Sequence, residues 1–205
     1  MRKIESNHSM RAEVRQQLIK DPKLKMVMER ISLAPLPSRG GVYEALIRSI
    51  VGQQLSIKAA ASIYKRFLAL FENEKHPPEA ILAIEHETLR GCGFSNSKAK
   101  YVKNVAQFFL DHPNENWEAL SDDEIIKKLT SIKGVGRWTV EMILMFALFR
   151  EDVFPIGDLG VRNGMIELYD VKSEGKTQYA ELTQIAEKWK PFRSYGSRLM
   201  WLWKV

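Results

Sequence analysis

The sequence predicts an all-α fold, and three observations carry that prediction. Apolar residues recur at three- and four-residue spacing: Tyr43, Leu46, Ile47, Ile50 and Val51 fall on one helical face, and so do Ala60, Ile63, Tyr64, Phe67, Leu68 and Phe71. Helix-start signals stand ahead of such stretches, at Ser56 and at Ser121, where Glu124 three residues on completes a capping box. The short β-branched pieces show no period-two alternation long enough for a sheet. Roughly ten helices of ordinary length fit the chain.

In chain order, Val14, Leu18, Leu24, Val27, Met28 and Ile31 predict two short amphipathic helices broken near Asp21-Pro22, since proline favours a first helical turn. Prolines and glycines between Ala34 and Gly41 predict a loop. A helix from Val42 is interrupted by Gly52-Gln53-Gln54-Leu55, and Ser56 starts the next. Pro77-Pro78 opens a short helix through Ile84, and another runs from His86 to Arg90. After a turn at 91–95, Ser97 to Leu110 forms a helix with Tyr101, Val102, Val105, Phe108 and Phe109 inward. The Ser121 box starts a helix with Ile125, Ile126 and Leu129. A Gly134-Val135-Gly136 turn precedes an apolar helical run from Trp138 to Phe149. Helices from Asp158 to about Tyr169, Thr177 to Lys188 and Pro191 to Trp203 complete the chain.

At 205 residues the chain can bury one substantial core or two smaller lobes. Its longest apolar run, Met142 to Phe149, is too short to span a bilayer. The polar N-terminus lacks the apolar stretch of a secretory signal. One cysteine, Cys92, excludes an intrachain disulfide and a four-cysteine zinc or iron–sulfur site, and a cytoplasmic setting is expected. The net charge of +6 is compatible with a polyanionic partner without specifying one.

Four features could carry chemistry. Helix, Gly134-Val135-Gly136, helix is a hairpin whose glycines permit close backbone approach. Amides at the start of the second helix suit an anionic phosphate oxygen, with Lys133 and Arg137 adding charge. The same turn could simply connect packed helices. Asp158, after Phe154-Pro155-Ile156-Gly157, is either an ordinary N-cap or an acid group able to stabilise a cationic sugar and orient a water, and the position permits both. Tyr43, Trp138, Trp189, Trp201 and Trp203 are core residues or base-stacking residues. An indole face would favour a cationic alkylated purine by on the order of 1–2 kcal/mol. Gln53, Gln54, Leu55 and Ser56 read either as a DNA-inserting loop or as amides stitching two helices.

The segment KGVGRWTVEMILMFALFREDVFPIGDLGVRNG resembles the helix-hairpin-helix/Gly-Pro-Asp base-excision glycosylases, and within them the 3-methyladenine DNA glycosylase II branch. Segments 50–67, 93–106 and 189–203 agree in order, so the resemblance covers nearly everything from about residue 42 onward. It implies a single compact two-lobed helical domain over 1–205, with the helix-hairpin-helix at about 121–150, the active site in the interlobe cleft and no separate N-terminal β domain. It implies hydrolysis of the N-glycosidic bond of alkylated purines in duplex DNA by base flipping, leaving an abasic site.

Carried over by position, Asp158 is the catalytic aspartate, and Trp138, Trp201, Tyr43 and Met142 line the base pocket. Gln54, with Leu55 and Ser56 beside it, fills the gap in the duplex, and Lys133, Gly134, Gly136 and Arg137 bind phosphate. Backbone carbonyls of Thr130, Ile132 and Val135 stand where a structural Na+ or K+ can bind; no cofactor is required and no iron–sulfur cluster is expected. Trp138 occupies the place of the lysine nucleophile of bifunctional relatives, so no Schiff base and no lyase step are expected. Where some members have a second acid this chain has Gly157, and Met142 replaces an aromatic, which leaves open whether neutral lesions such as hypoxanthine and ethenoadenine are also taken. A monomer associated with the nucleoid through DNA is expected. The alternative is a non-catalytic protein of the same fold that binds lesions or DNA structure.

Overall fold

The structure is a computed structural model that describes residues 10–36 and 40–203. Part of the loop expected at 34–41 therefore lies outside the described residues, as does most of the polar N-terminus. The described residues are all-helical. The elements are α1 (Ala12–Leu18), α2 (Pro22–Arg30), α3 (Val42–Gly52), α4 (Ile57–Leu68), a 3-10 turn (Glu72–Glu74), α5 (Pro78–Ala83), α6 (His86–Gly91) and α7 (Asn96–Asp111). They continue with α8 (Asp122–Thr130), α9 (Arg137–Phe146), α10 (Leu159–Tyr169), α11 (Gly175–Glu187) and α12 (Arg193–Trp203). The chain divides into two compact units, one continuous (Ser38–Leu148) and one built from both chain ends (Met1–Pro37 with Phe149–Val205).

In the continuous unit α3 and α5 pack on α7, and α8 packs on α9. The apolar stripes supply its core: Leu46, Ile47, Ile50, Phe67, Ile81, Val102, Val105, Ile125, Leu129 and Leu144 are all buried. Caps fix the helix starts. Ser56 Oγ accepts from the Ala59 amide, Ser95 Oγ from Lys98, and Ser121 forms the full capping box with Glu124. The apolar run expected to stay helical through Phe149 stops at Phe146. The amides of Ala147 and Leu148 both donate to the Ile143 carbonyl, which unwinds the last turn, and Phe149 then takes a left-handed conformation (φ 53°). Hydrophobicity alone could not show that break.

The discontinuous unit packs α10 against α12, with α2 also on α12. Its core joins Val14, Leu18, Leu24 and Val27 from the N-terminal helices to Val161, Met165, Leu182, Leu199 and Met200. Gly164 allows the close α10–α12 approach, since a Cβ there would stand 2.6 Å from the Met200 carbonyl oxygen. Trp189 is fully buried against Gly196. Asp21 is the polar pin of this unit. Its Oδ1 caps α2 through the Lys23 and Leu24 amides, and its Oδ2 accepts from the Tyr169 hydroxyl (2.8 Å) and the Trp189 indole N–H (3.3 Å). A buried carboxylate is tolerable when its lone pairs are used in this way.

Candidate active site

Asp158 is set by the local chemistry of a helix start. It sits at the N-cap of α10 in extended conformation (φ −74°, ψ 124°), and its Oδ1 accepts from the Val161 amide at 2.9 Å. The same Oδ1 accepts from the Trp201 indole N–H at 2.7 Å, a donor 43 residues further along the chain on α12. Two donors on one oxygen fix the carboxylate plane. Gly160 makes room for this pairing, because a Cβ there would lie 2.8 Å from Trp201 Cδ1 and 3.2 Å from Asp158 Oδ1. Behind the site, Arg162 Nη1 reaches the carbonyl oxygens of Ile156 and Gly157 and the Tyr179 hydroxyl, and its guanidinium lies 5.2 Å from the Tyr179 ring centroid. The segment leading into Asp158 is thus tied to the first turn of α10 and, through Tyr179, to α11.

In the continuous unit the hairpin joins α8 to α9. Gly134 has φ +105°, and a Cβ there would fall 2.2 Å from Tyr101 Cγ, so this position needs glycine on both counts. Lys133 and Gly136 are exposed. The Arg137 side chain is 67% exposed, and its Nε donates to Glu141 Oε1 at 3.0 Å. Glu141 is nearly fully buried one turn further along α9, so the guanidinium is anchored at one end while its far end faces outward. Trp138 and Met142, one turn apart on α9, lie on one face; Trp138 is 43% exposed and Met142 half-buried.

Around Gln53 and Gln54 the structure shows the stitching contact for Gln53 alone. Gln53 Nε2 donates to the Gly134 carbonyl oxygen (3.3 Å), stitching the α3–α4 loop to the hairpin. Gln54 is exposed in the left-handed region (φ 57°), Leu55 is exposed beside it, and Ser56 is spent on capping α4.

The aromatics separate as well. Trp189 is core, and Trp203 is half-buried with Arg30 6.0 Å from its ring centroid. Tyr43, on α3, donates its hydroxyl to the His76 carbonyl oxygen (2.9 Å) and packs 5.1 Å from Phe109. Burial raises its phenol well above the ordinary value.

The proposed cation ligands are hard, uncharged carbonyl oxygens, the donor type suited to Na+ or K+ rather than to a transition metal. Lys133 and Gly134 carbonyls accept from Asn104 and Gln53, and Ile132 already accepts from the Val135 amide. Among the described residues the Thr130 and Val135 carbonyls accept no backbone amide outside the helices.

A family model for helix-hairpin-helix/Gly-Pro-Asp (HhH-GPD) base-excision DNA repair proteins matches residues 47–191. The chain belongs to the HhH-GPD superfamily. It is 40% identical over 163 residues to DNA-3-methyladenine glycosylase 1 of Schizosaccharomyces pombe, covering 78% of this chain and 71% of that protein. It resembles the solved structure of the S. pombe 3-methyladenine DNA glycosylase in complex with abasic DNA, with a TM-score of 0.81, 34% identity, and coverage of 93% of this chain and 95% of that one. It also resembles a DNA-3-methyladenine glycosidase of Bacillus halodurans, with a TM-score of 0.82, 33% identity, and coverage of 94% and 88%.

In this HhH-GPD chain the sequence offered Asp158, the hairpin and Trp201 as site residues, and the structure joins two of them, Trp201 to Asp158, by a hydrogen bond. The sequence did not locate four of the supports: Tyr101 and Asn104 against the hairpin, Arg162 behind Asp158, and Glu141 behind Arg137. Only the last carried a readable signal, the four-residue Arg137–Glu141 spacing.

Proposed function

We propose that the chain excises alkylated purines such as 3-methyladenine and 7-methylguanine from duplex DNA as a monofunctional glycosylase, with Asp158 as its catalytic carboxylate. The carboxylate fixed by Val161 and Trp201 is the observation that carries this reading. As the bond from C1′ to the base nitrogen breaks, its electron pair leaves with the base, and the sugar becomes oxocarbenium-like. A fixed anion stabilises that charge without reorganising during the reaction. Water then bonds to C1′ and gives up a proton, and the carboxylate is suited to orient that water. A cationic alkylpurine departs neutral, so it needs less help than a neutral lesion. Trp138 stands where a Schiff-base amine would be required, so the product is the abasic site.

In this reading the hairpin amides with Lys133 and Arg137 hold phosphate, Gln54 and Leu55 occupy the gap left by the flipped nucleotide, and Trp138, Met142 and Tyr43 serve the base. Trp201 has a second task, orienting Asp158. The test is single-turnover base release from duplexes carrying 7-methylguanine or hypoxanthine. Asp158→Asn keeps the size and one acceptor of the side chain. We expect it to lose a factor of about a hundred or more in rate on 7-methylguanine while still binding duplex. Full release by that variant removes Asp158 from its role. Lesion-dependent binding without release by the wild type would favour the recognition protein instead.

A further inference from the structure

We propose that Gln53 is a positioning residue: its side-chain amide clamps the insertion loop to the hairpin, so that the gap-filling side chain and the phosphate grip move as one body. The inference rests on the placement of Gln54 at the flipped-base gap proposed above.

The contacts converge from two directions. Gln53 Nε2 donates to the Gly134 carbonyl oxygen across 81 positions of sequence. The next residue, Gln54, is held in a left-handed conformation, so its direction follows wherever the Gln53 backbone is fixed. Helix α7 backs both elements with three side chains at three-residue steps. Lys98 Nζ donates to the Val51 carbonyl oxygen (2.8 Å) at the end of α3, where the insertion loop begins. The Tyr101 ring lies against Gly134. Asn104 Nδ2 donates to the Lys133 carbonyl oxygen (3.0 Å). Burial lowers the Lys98 ammonium from its ordinary value, in keeping with a side chain used as a brace. The wedge and the grip therefore share one helix, and Gln53 is the direct strut between them.

A fixed distance between grip and wedge has a mechanistic use. Phosphate contacts set the register of a duplex without reading it. A wedge rigidly referred to those phosphates enters at one nucleotide, whereas a loose one enters less often at the position being tested.

The experiment is a double-mutant cycle on single-turnover release of 7-methylguanine, using the full chain with Gln53→Met, Gln54→Ala and both together. Met keeps the length of Gln and removes the donor. We expect Gln53→Met to slow release by about threefold to tenfold, the worth of one neutral hydrogen bond of this length. We expect its added loss in the Gln54→Ala background to fall below about twofold, because the strut then positions nothing. Affinity for undamaged duplex and its salt dependence should stay at wild-type values, since no phosphate contact is removed. Placing the lesion in an unpaired bulge should restore the Gln53→Met rate.

Equal losses in both backgrounds overturn the proposal and leave a packing role. No loss at all from Gln53→Met overturns it too. A wild type that releases the base while Gln54→Ala costs nothing refutes the insertion role and the strut with it. A wild type that releases no base refutes the glycosylase reading itself. Should Gln53→Met prove unstable, Asn104→Ala, which loosens the hairpin from α7, must show the same dependence on Gln54 or the proposal fails.

Discussion

The two units hold their candidate functional groups by opposite means. At Asp158 the group that matters is a side chain, oriented by Trp201 on a helix far along the chain and by one helix-end amide. At the hairpin the group that matters is backbone, and side chains of α7 and the α3–α4 loop hold it by its carbonyls. Each unit also has a glycine that a side chain overlies, but the constraints differ. Gly134 needs both its positive φ and the space under Tyr101, whereas Gly160 lies in an ordinary helix and needs only the space under Trp201. A backbone site is broken by a change of backbone shape; a side-chain site is broken by removing one donor.

Gly134→Ala should have the largest effect on stability. The left-handed backbone costs about 1–2 kcal/mol for a residue with a Cβ, and the collision with Tyr101 involves the root of the ring, which cannot swing clear, adding about 1–3 kcal/mol. The thermal midpoint should fall by roughly 5–15 °C, with weaker duplex binding. An unchanged midpoint in a melting scan would mean that the hairpin is not held as described. Trp201→Phe should act on the other unit and in the other way. It keeps an aromatic ring and removes the indole N–H, so release of 7-methylguanine should slow about tenfold with duplex affinity kept. If affinity falls and the rate at saturation does not, Trp201 serves stacking alone.

The smallest expected effect is a pH dependence confined to the continuous unit. His76 is buried among Tyr43, Tyr64, Phe67 and Phe71, and burial lowers its imidazole from the ordinary 6.5. The unfolded chain therefore binds this proton more readily than the folded one. The contribution of His76 to stability is complete above about pH 6.5 and is lost as pH falls through the lower folded-state value. The wild type should melt lower at pH 5 than at pH 7.5, and His76→Gln should reduce that difference. An equal pH dependence in the variant would assign it to other groups.

The helical class was legible because three- and four-residue spacing reports the buried face directly, as Leu46, Ile47 and Ile50 show. The capping serines were legible because their hydrogen bonds are local. The end of α9 was not, since Ala147, Leu148 and Phe149 are as apolar as the residues before them and the break lies in backbone conformation. Asp158 and the hairpin glycines stood out in the sequence as parts of a linear motif. The strut contacts did not: Gln53 meets Gly134, and Asn104 meets Lys133, only after the helices have packed. Residue type alone did not separate Trp189, sealed in the core, from Trp201, bonded to Asp158, because both are tryptophans in the same terminal stretch; the family resemblance singled out Trp201.

The way Asp21 is bonded bears on how the polypeptide reaches its native state. Its partners, Tyr169 and Trp189, lie 148 and 168 positions downstream. On the ribosome α1 and α2 emerge before the residues that cover Val14, Leu18, Leu24 and Val27, which lie more than 100 positions downstream, from Val161 onward. The intervening 38–148 unit is continuous and can finish folding while synthesis proceeds. Helices α1 and α2 are thus made well before their apolar faces can be buried, and during that wait those faces stay exposed to solvent or to a chaperone.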